Sequence, residues 1–192
     1  MESDRVRWNQ RYREGAYVAR THPTALLEEW LKRLPHTNAL DLACGSGRNA
    51  RFIAQSATHV TGIDISDVAI AQARDLASNL ENVEFIVADL DDGLSFEHLF
   101  DLIVMVRYVN FELMRTLPKL LVPGGVLFVE EHLRWDDPDL KLAGPKNPDY
   151  RTKAGTVARA LSSLEPLHTF EGLVTDPLGE VSALAQFIGR KN

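Results

Sequence analysis

The chain has 192 residues, 45% hydrophobic and 25% charged, the size and make-up of one globular domain with room for a substantial core. A formal net charge of −6 argues against a partner held by bulk electrostatics, such as nucleic acid. No run approaches the roughly 20 apolar residues of a membrane span, the polar start MESDRVRWNQRYRE reads as no signal peptide, and the lone Cys44 excludes an internal disulfide, so the expected setting is reducing and cytoplasmic.

Taken in chain order, the first element is an arm with an aromatic–basic cluster of Trp8, Arg11 and Tyr12. PTALLEEWLKRL follows, with Leu26, Leu27, Trp30, Leu31 and Leu34 on one face of an amphipathic helix. Five strand-length apolar runs come next, at 38–43, 59–65, 83–88, 101–106 and 125–131. Most are apolar on both faces, as parallel strands covered by helices on each side must be. Helical patterns separate them. GRNARFIAQSA sets Ala50, Ile53, Ala54 and Ala57 on one face, Ser66 is placed to cap the next helix, and Pro118 is placed to kink a third or start a second turn. A long loop, 132–151, is rich in proline, glycine and charge, which marks it as functional or disordered. A helix is predicted at 152–163, then two runs, EPLHTFEGLV and EVSALAQFIGR, joined by TDPLG. So short a join demands an antiparallel pair. The expected fold is α/β: one domain over 1–192, a doubly wound, seven-stranded, mainly parallel sheet closed by a C-terminal antiparallel hairpin.

The chemistry concentrates at LDLACGSGRNA, residues 40–50. Gly45 and Gly47 free the backbone to take positive φ and approach a ligand where a Cβ would collide. Asp64 ends the second strand, placed to accept hydrogen bonds from ribose hydroxyls. Alone, the turn reads as a dinucleotide fingerprint or as an ordinary strand–helix turn. Its context differs from a dinucleotide fold: Asp41 stands at the first strand's exit, VADLDD closes the third strand, and LLVPGGVLFVEE leads into the fifth.

On these motifs the chain resembles the class I S-adenosylmethionine-dependent methyltransferases, which have a Rossmann-like sheet. LDLACGSGRNA is similar to their first motif, with Ala43 in place of the usual first glycine. GIDIS is similar to their acidic ribose-binding motif, ADLDD to their adenine-binding motif and LVPGGVLFVEE to their turn into strand five. WNQRY and GRNA resemble a subgroup of small-molecule enzymes, the tellurite-resistance and thiopurine methyltransferase-like proteins. The resemblance implies S-adenosyl-L-methionine as cofactor, held by Trp8, Tyr12, Asp41, Ala43, Gly45, Gly47, Asn49, Asp64, Ile65, Asp89 and Leu90, with the arm closing over cofactor and acceptor. A negative φ at Ala43 would let its methyl pass, whereas a positive φ would count against the cofactor.

A small-molecule methyl acceptor is expected at the carboxyl edge of strands four and five. Arg107, Tyr108 and His132 are the catalytic candidates there, with Glu130 and Arg134 beside them. Tyr108, His132 and Glu130 are the possible general bases for an amine or hydroxyl, while a thiolate or metalloid oxyanion needs none. NPDY, 147–150, reads as a turn, and Cys44 as loop packing. No metal spacing is present. A nicotinamide-dependent oxidoreductase and a non-catalytic cofactor-binding module are the competing readings.

Overall fold

The computed structural model describes residues 2–18, 20–137, 139–176 and 179–192. The five apolar runs are strands β1 (Asn38–Leu42), β2 (His59–Asp64), β3 (Val83–Val87), β4 (Phe100–Val106) and β5 (Leu121–His132). The hairpin is β6 (Glu165–Thr175) and β7 (Val181–Arg190). One seven-stranded sheet has the order β3-β2-β1-β4-β5-β7-β6. Strands β1 to β5 run parallel, and β7 lies antiparallel between β5 and β6. The strand order reverses between β1 and β4, the position where open α/β sheets form a ligand crevice at their carboxyl edge.

Strand alternation sorts the core into two layers. Ala39, Val60, Leu102, Val104, Val106, Val126 and Phe128 face α2 (Ala25–Trp30), α3 (Arg48–Ala54) and α4 (Asp67–Leu76). Leu40, Leu42, Ile103, Met105, Leu127 and Val129 face α5 (Phe111–Thr116) and α6 (Thr156–Ala160). Ala50, Ile53 and Ala54 bury the predicted face of α3. Ser66 caps α4, its hydroxyl accepting from the Ala69 N–H at 3.1 Å. Pro118 starts a separate short helical turn at Leu117–Leu120 after α5.

The arm is a helix, α1 (Glu2–Arg13), with no apolar stripe. A polar helix of that length is marginal by itself. Asn9 docks it: its amide donates to Asp67 Oδ1 at 2.6 Å, and its Oδ1 accepts from the Ser66 hydroxyl at 2.7 Å.

Two elements differ from expectation. β5 begins earlier, at Leu121, because Val122–Gly125 bulges within the strand and exchanges hydrogen bonds with Lys191, so the proline–glycine turn lies inside it. The helix predicted at 152–163 shrinks to α6, because Thr152 bridges to Leu133 and Gly155 opens the helix at φ 70°. The long loop is built around Arg151, whose guanidinium donates to the carbonyls of Pro145 (2.8 Å), Leu133 (3.1 Å) and Ala143 (3.2 Å). NPDY is a turn capped by Asn147.

Candidate active site

At the β1–α3 turn, buried carboxylates fix the backbone. Asp41, on the α3 side of β1, accepts from the Ala50 N–H at 3.0 Å. Burial pushes its carboxyl up to about 7, against the pull of that N–H and of Arg48. Asp64 accepts from the N–H of Gly45 at 2.8 Å and of Ser66 at 2.9 Å. Its pKa is raised by burial and opposed by those N–H groups. Gly45 and Gly47 stand at φ 56° and 75°. A Cβ on Gly47 would come within 2.7 Å of the Phe85 ring, and one on Gly45 would collide with the Tyr12 hydroxyl.

Ala43 takes φ 53°, so the tolerant case set out for it does not hold. The left-handed region costs an L-residue roughly 1–2 kcal/mol, and this counts against a relaxed cradle. The path is nevertheless the one a glycine would follow, held by the Cys44 N–H on Ile63 O at 2.9 Å. Cys44 is buried, and burial raises its thiol pKa, so it packs rather than reacts.

Of the other cofactor candidates, Ile65 is half-buried beside Asp64, and Asp89 caps a short turn whose Leu90 is buried. Asn49 is buried, and its carbonyl accepts from the Thr24 N–H at 2.9 Å, which ties α3 to the entry of α2. The arm splits its two aromatics. Tyr12 lies over the glycine turn, and burial with the nearby Asp64 raises its phenol pKa. Trp8 packs within the arm, with Tyr17 at 6.4 Å and the Arg11 guanidinium at 5.3 Å from its ring. Arg7 stands over the ring of Tyr150 at 5.4 Å, so the arm also meets the 132–151 loop.

At the ends of β4 and β5, Arg107 donates to Glu130 Oε1 at 2.9 Å, and a second guanidinium nitrogen lies 2.8 and 3.1 Å from the two ring nitrogens of His132. Gln186 donates to the other Glu130 oxygen at 2.7 Å. Burial pushes His132 down to about 2, helped by Arg107, Arg151 and Arg20. Gly144 of the long loop lies against its ring, where a Cβ would collide. Arg48 joins from α3, its pKa lowered by burial and by Arg20 and Arg107, while it donates to His22 O and Thr24 Oγ1. Arg134 is turned to the carbonyls of Pro148 and Arg151.

Tyr108 does not join this rim. Its hydroxyl donates to Asp91 at 3.1 Å, on the side of the third strand's acidic turn, and burial is the main cause pushing its pKa up to about 12. Sequence reasoning missed Asn9, Arg20, Arg48, Gln186 and Gly144. Asn9, inside WNQRY, and Arg48, inside GRNA, lay in motifs the sequence singled out, whereas the others meet their partners through distant segments. A cavity of about 460 Å³ at the β3 edge, lined by Arg74, Leu80 and Glu84 among others, contains none of the candidate residues. Among the described residues no metal-holding cluster occurs, and no helix is long and apolar enough to cross a membrane.

The sequence profile of a methyltransferase domain matches residues 39–125, from β1 to the bulge of β5. Trans-aconitate 2-methyltransferase of Escherichia coli is 35% identical over 120 residues, covering 57% of this chain and 46% of the relative. An uncharacterized methyltransferase of Schizosaccharomyces pombe is 40% identical over 70 residues, covering 36% of this chain and 48% of the relative. The chain thus spans about half the length of the curated relatives it matches. TehB from Haemophilus influenzae superposes with a TM-score of 0.75 at 20% identity, over 96% of this chain and 67% of TehB. The N-methyltransferase NodS from Bradyrhizobium japonicum does so at 0.65 and 24% identity, over 87% of this chain and 93% of NodS. Residues 39–125 thus match a methyltransferase domain on a fold shared with solved methyltransferases, and the cofactor the sequence leads one to expect is S-adenosylmethionine. The donor-set chemistry of the turn fits that cofactor: a backbone free of side chains at Gly45 and Gly47, and a buried carboxylate at Asp64.

Proposed function

We propose that the protein transfers the methyl group of S-adenosylmethionine to a small acceptor that is already anionic, a carboxylate or an oxyanion. The observation that carries this reading is the lack of a serviceable base on a cationic rim. His132 is held neutral and feebly basic, both Glu130 oxygens are engaged, and Tyr108 points to Asp91. Arg107, Arg48, Arg20 and Arg151 meanwhile bear on the same place. An amine or hydroxyl acceptor would need its proton removed there. A carboxylate needs only to be held in line.

When bound, the cofactor would offer a methyl carbon on a sulfonium leaving group, so that the acceptor's lone pair would form the new bond as the carbon–sulfur pair leaves with sulfur. Asp64 would take the ribose hydroxyls, Asp89 and Leu90 would hold the adenine, and the 45–47 backbone would admit the methionine end. Tyr12, which lies over the glycine turn, would stand near the sulfonium, where an aromatic ring favours a cation. Arg107 grips the acceptor. The 1–37 segment acts as arm and lid over the 38–131 core, and 132–151 closes the acceptor side. The name of the Escherichia coli relative specifies a carboxylate acceptor, which agrees with this choice.

The test is a panel of di- and tricarboxylates, metalloid oxyanions, thiols, amines and phenols, read by formation of S-adenosylhomocysteine. Turnover with a carboxylate or oxyanion is expected. Turnover confined to amines or phenols would overturn the reading.

A further inference from the structure

β4 alternates strictly: Leu102, Val104 and Val106 face α2–α4, and Ile103 and Met105 face α5–α6. By that alternation Arg107 belongs on the α5–α6 side. It is instead on the other side, paired with Glu130 and His132, because its backbone turns to φ 62°. Arginine gains nothing locally from the left-handed region, so something must hold it there. Two hydrogen bonds flank the turned residue. The Arg107 N–H reaches Glu130 O at 2.8 Å, and the Tyr108 N–H reaches Glu131 Oε1 at 3.1 Å. Only the second is made by a side chain. Glu131 points to the α5–α6 layer, is fully buried, and its Oε2 has no hydrogen-bond partner among the described residues. An unpaired carboxyl oxygen in an apolar layer is costly. Among the described residues, the one hydrogen bond this side chain makes is to the backbone just past Arg107.

We propose that Glu131 is a positioning residue for the acceptor: by holding the Tyr108 N–H it keeps Arg107 turned to the anion-binding side of the sheet. This rests on the reading of Arg107 as the acceptor's grip. Arg107 and Glu130 are the charged groups bearing on Glu131, and burial holds it in its protonated form at neutral pH, with its carboxyl pushed up to about 8. The protonated acid still offers a carbonyl oxygen to Tyr108. An amide offers the same oxygen, whereas a leucine of similar volume suits the apolar layer but offers none.

Glu131→Gln and Glu131→Leu separate the cases, read by crystal structures of both variants and by calorimetric binding of citrate in the presence of S-adenosylhomocysteine. In Glu131→Gln, Arg107 keeps positive φ and its contact with Glu130, and the citrate Kd stays within twofold of the parent. In Glu131→Leu, Arg107 swings toward negative φ and the citrate Kd rises at least tenfold, with S-adenosylhomocysteine affinity unchanged. An Arg107 still turned and paired in Glu131→Leu overturns the proposal. If the parent protein binds no citrate, the anionic-acceptor reading fails instead, and the Arg107 backbone in the two variants still decides the role of Glu131.

Discussion

The two halves of the sheet's carboxyl edge solve the same local problem with different partners. At the β1–α3 turn a non-glycine residue, Ala43, sits in the left-handed region, and at the β4 exit Arg107 does the same. Each place has two buried acids. At the turn both acids hold backbone: Asp41 holds Ala50, and Asp64 holds Gly45 and Ser66. At the β4–β5 rim only Glu131 does so, while Glu130 takes a guanidinium and an amide side chain. A site fixed through backbone is indifferent to most side-chain changes around it. A site fixed through side chains changes with each of them. On the function proposed above, cofactor recognition would belong to the first kind of construction, and acceptor choice to the second.

The largest effect expected from breaking this contrast is at Asp64. Asp64→Ala strips two buried N–H groups of their acceptor, a loss of roughly 2–6 kcal/mol. It should lower Tm and abolish the Tm rise that S-adenosylhomocysteine gives the parent by mass action. A full ligand-induced rise in the mutant would show that the turn is not organised through Asp64.

Next is the pH dependence of Glu131. Its carboxyl is raised from 4.5 to about 8 on folding, so the unfolded chain releases the proton first. The stability this carboxyl permits is fully present below about 4.5 and is lost as pH rises through 8. Glu131→Gln removes the loss, and its stability advantage over the parent should grow by about 2–4 kcal/mol between pH 5 and pH 8.5. Denaturant melts at the two pH values measure it; an advantage independent of pH would contradict the raised carboxyl.

Legibility followed the same division. The strands, the glycine turn, the Ser66 cap and the antiparallel hairpin were all readable, because apolar runs, glycine spacing and a short join are local properties of the chain. The rim was not. Alternation assigns Arg107 to the wrong face, since nothing in VMVRYVN announces a positive φ. It also makes Tyr108 a neighbour of His132, from which the turn separates it. His132 reads as a possible base until arginines at 20, 107 and 151, far apart in sequence, are brought to it. Asn9 stands in the WNQRY motif, but its docking role was not legible there, its partners lying 57 and 58 positions away.

A third prediction sharpens the contrast kinetically. Arg107→Ala should raise the acceptor KM at least tenfold and leave S-adenosylhomocysteine binding within twofold. Equal losses in both would mean that the two halves are not separable. Removing residues 1–20 takes away Tyr12 and Asn9 together, and should leave a folded sheet whose turnover falls severalfold at saturating cofactor. Unchanged turnover would end the lid assignment.

The smallest effect is expected at Ala43. Ala43→Gly relieves left-handed strain but adds freedom to the unfolded chain, so stability should change by less than about 1 kcal/mol. A larger gain in Tm would mean that the strain at the turn is greater than its backbone angle indicates.

The contacts of Gly45 and Gly47 bear on how such a chain would evolve. A side chain at either position meets the protein itself first, the Tyr12 hydroxyl in one case and the Phe85 ring in the other. Selection for a folded chain therefore preserves Gly47, which faces the core ring of Phe85, whether or not methyl transfer is under selection. A descendant that lost its acceptor pocket would keep its sequence signature long after losing its reaction, and drift would appear first at positions 107, 130 and 132.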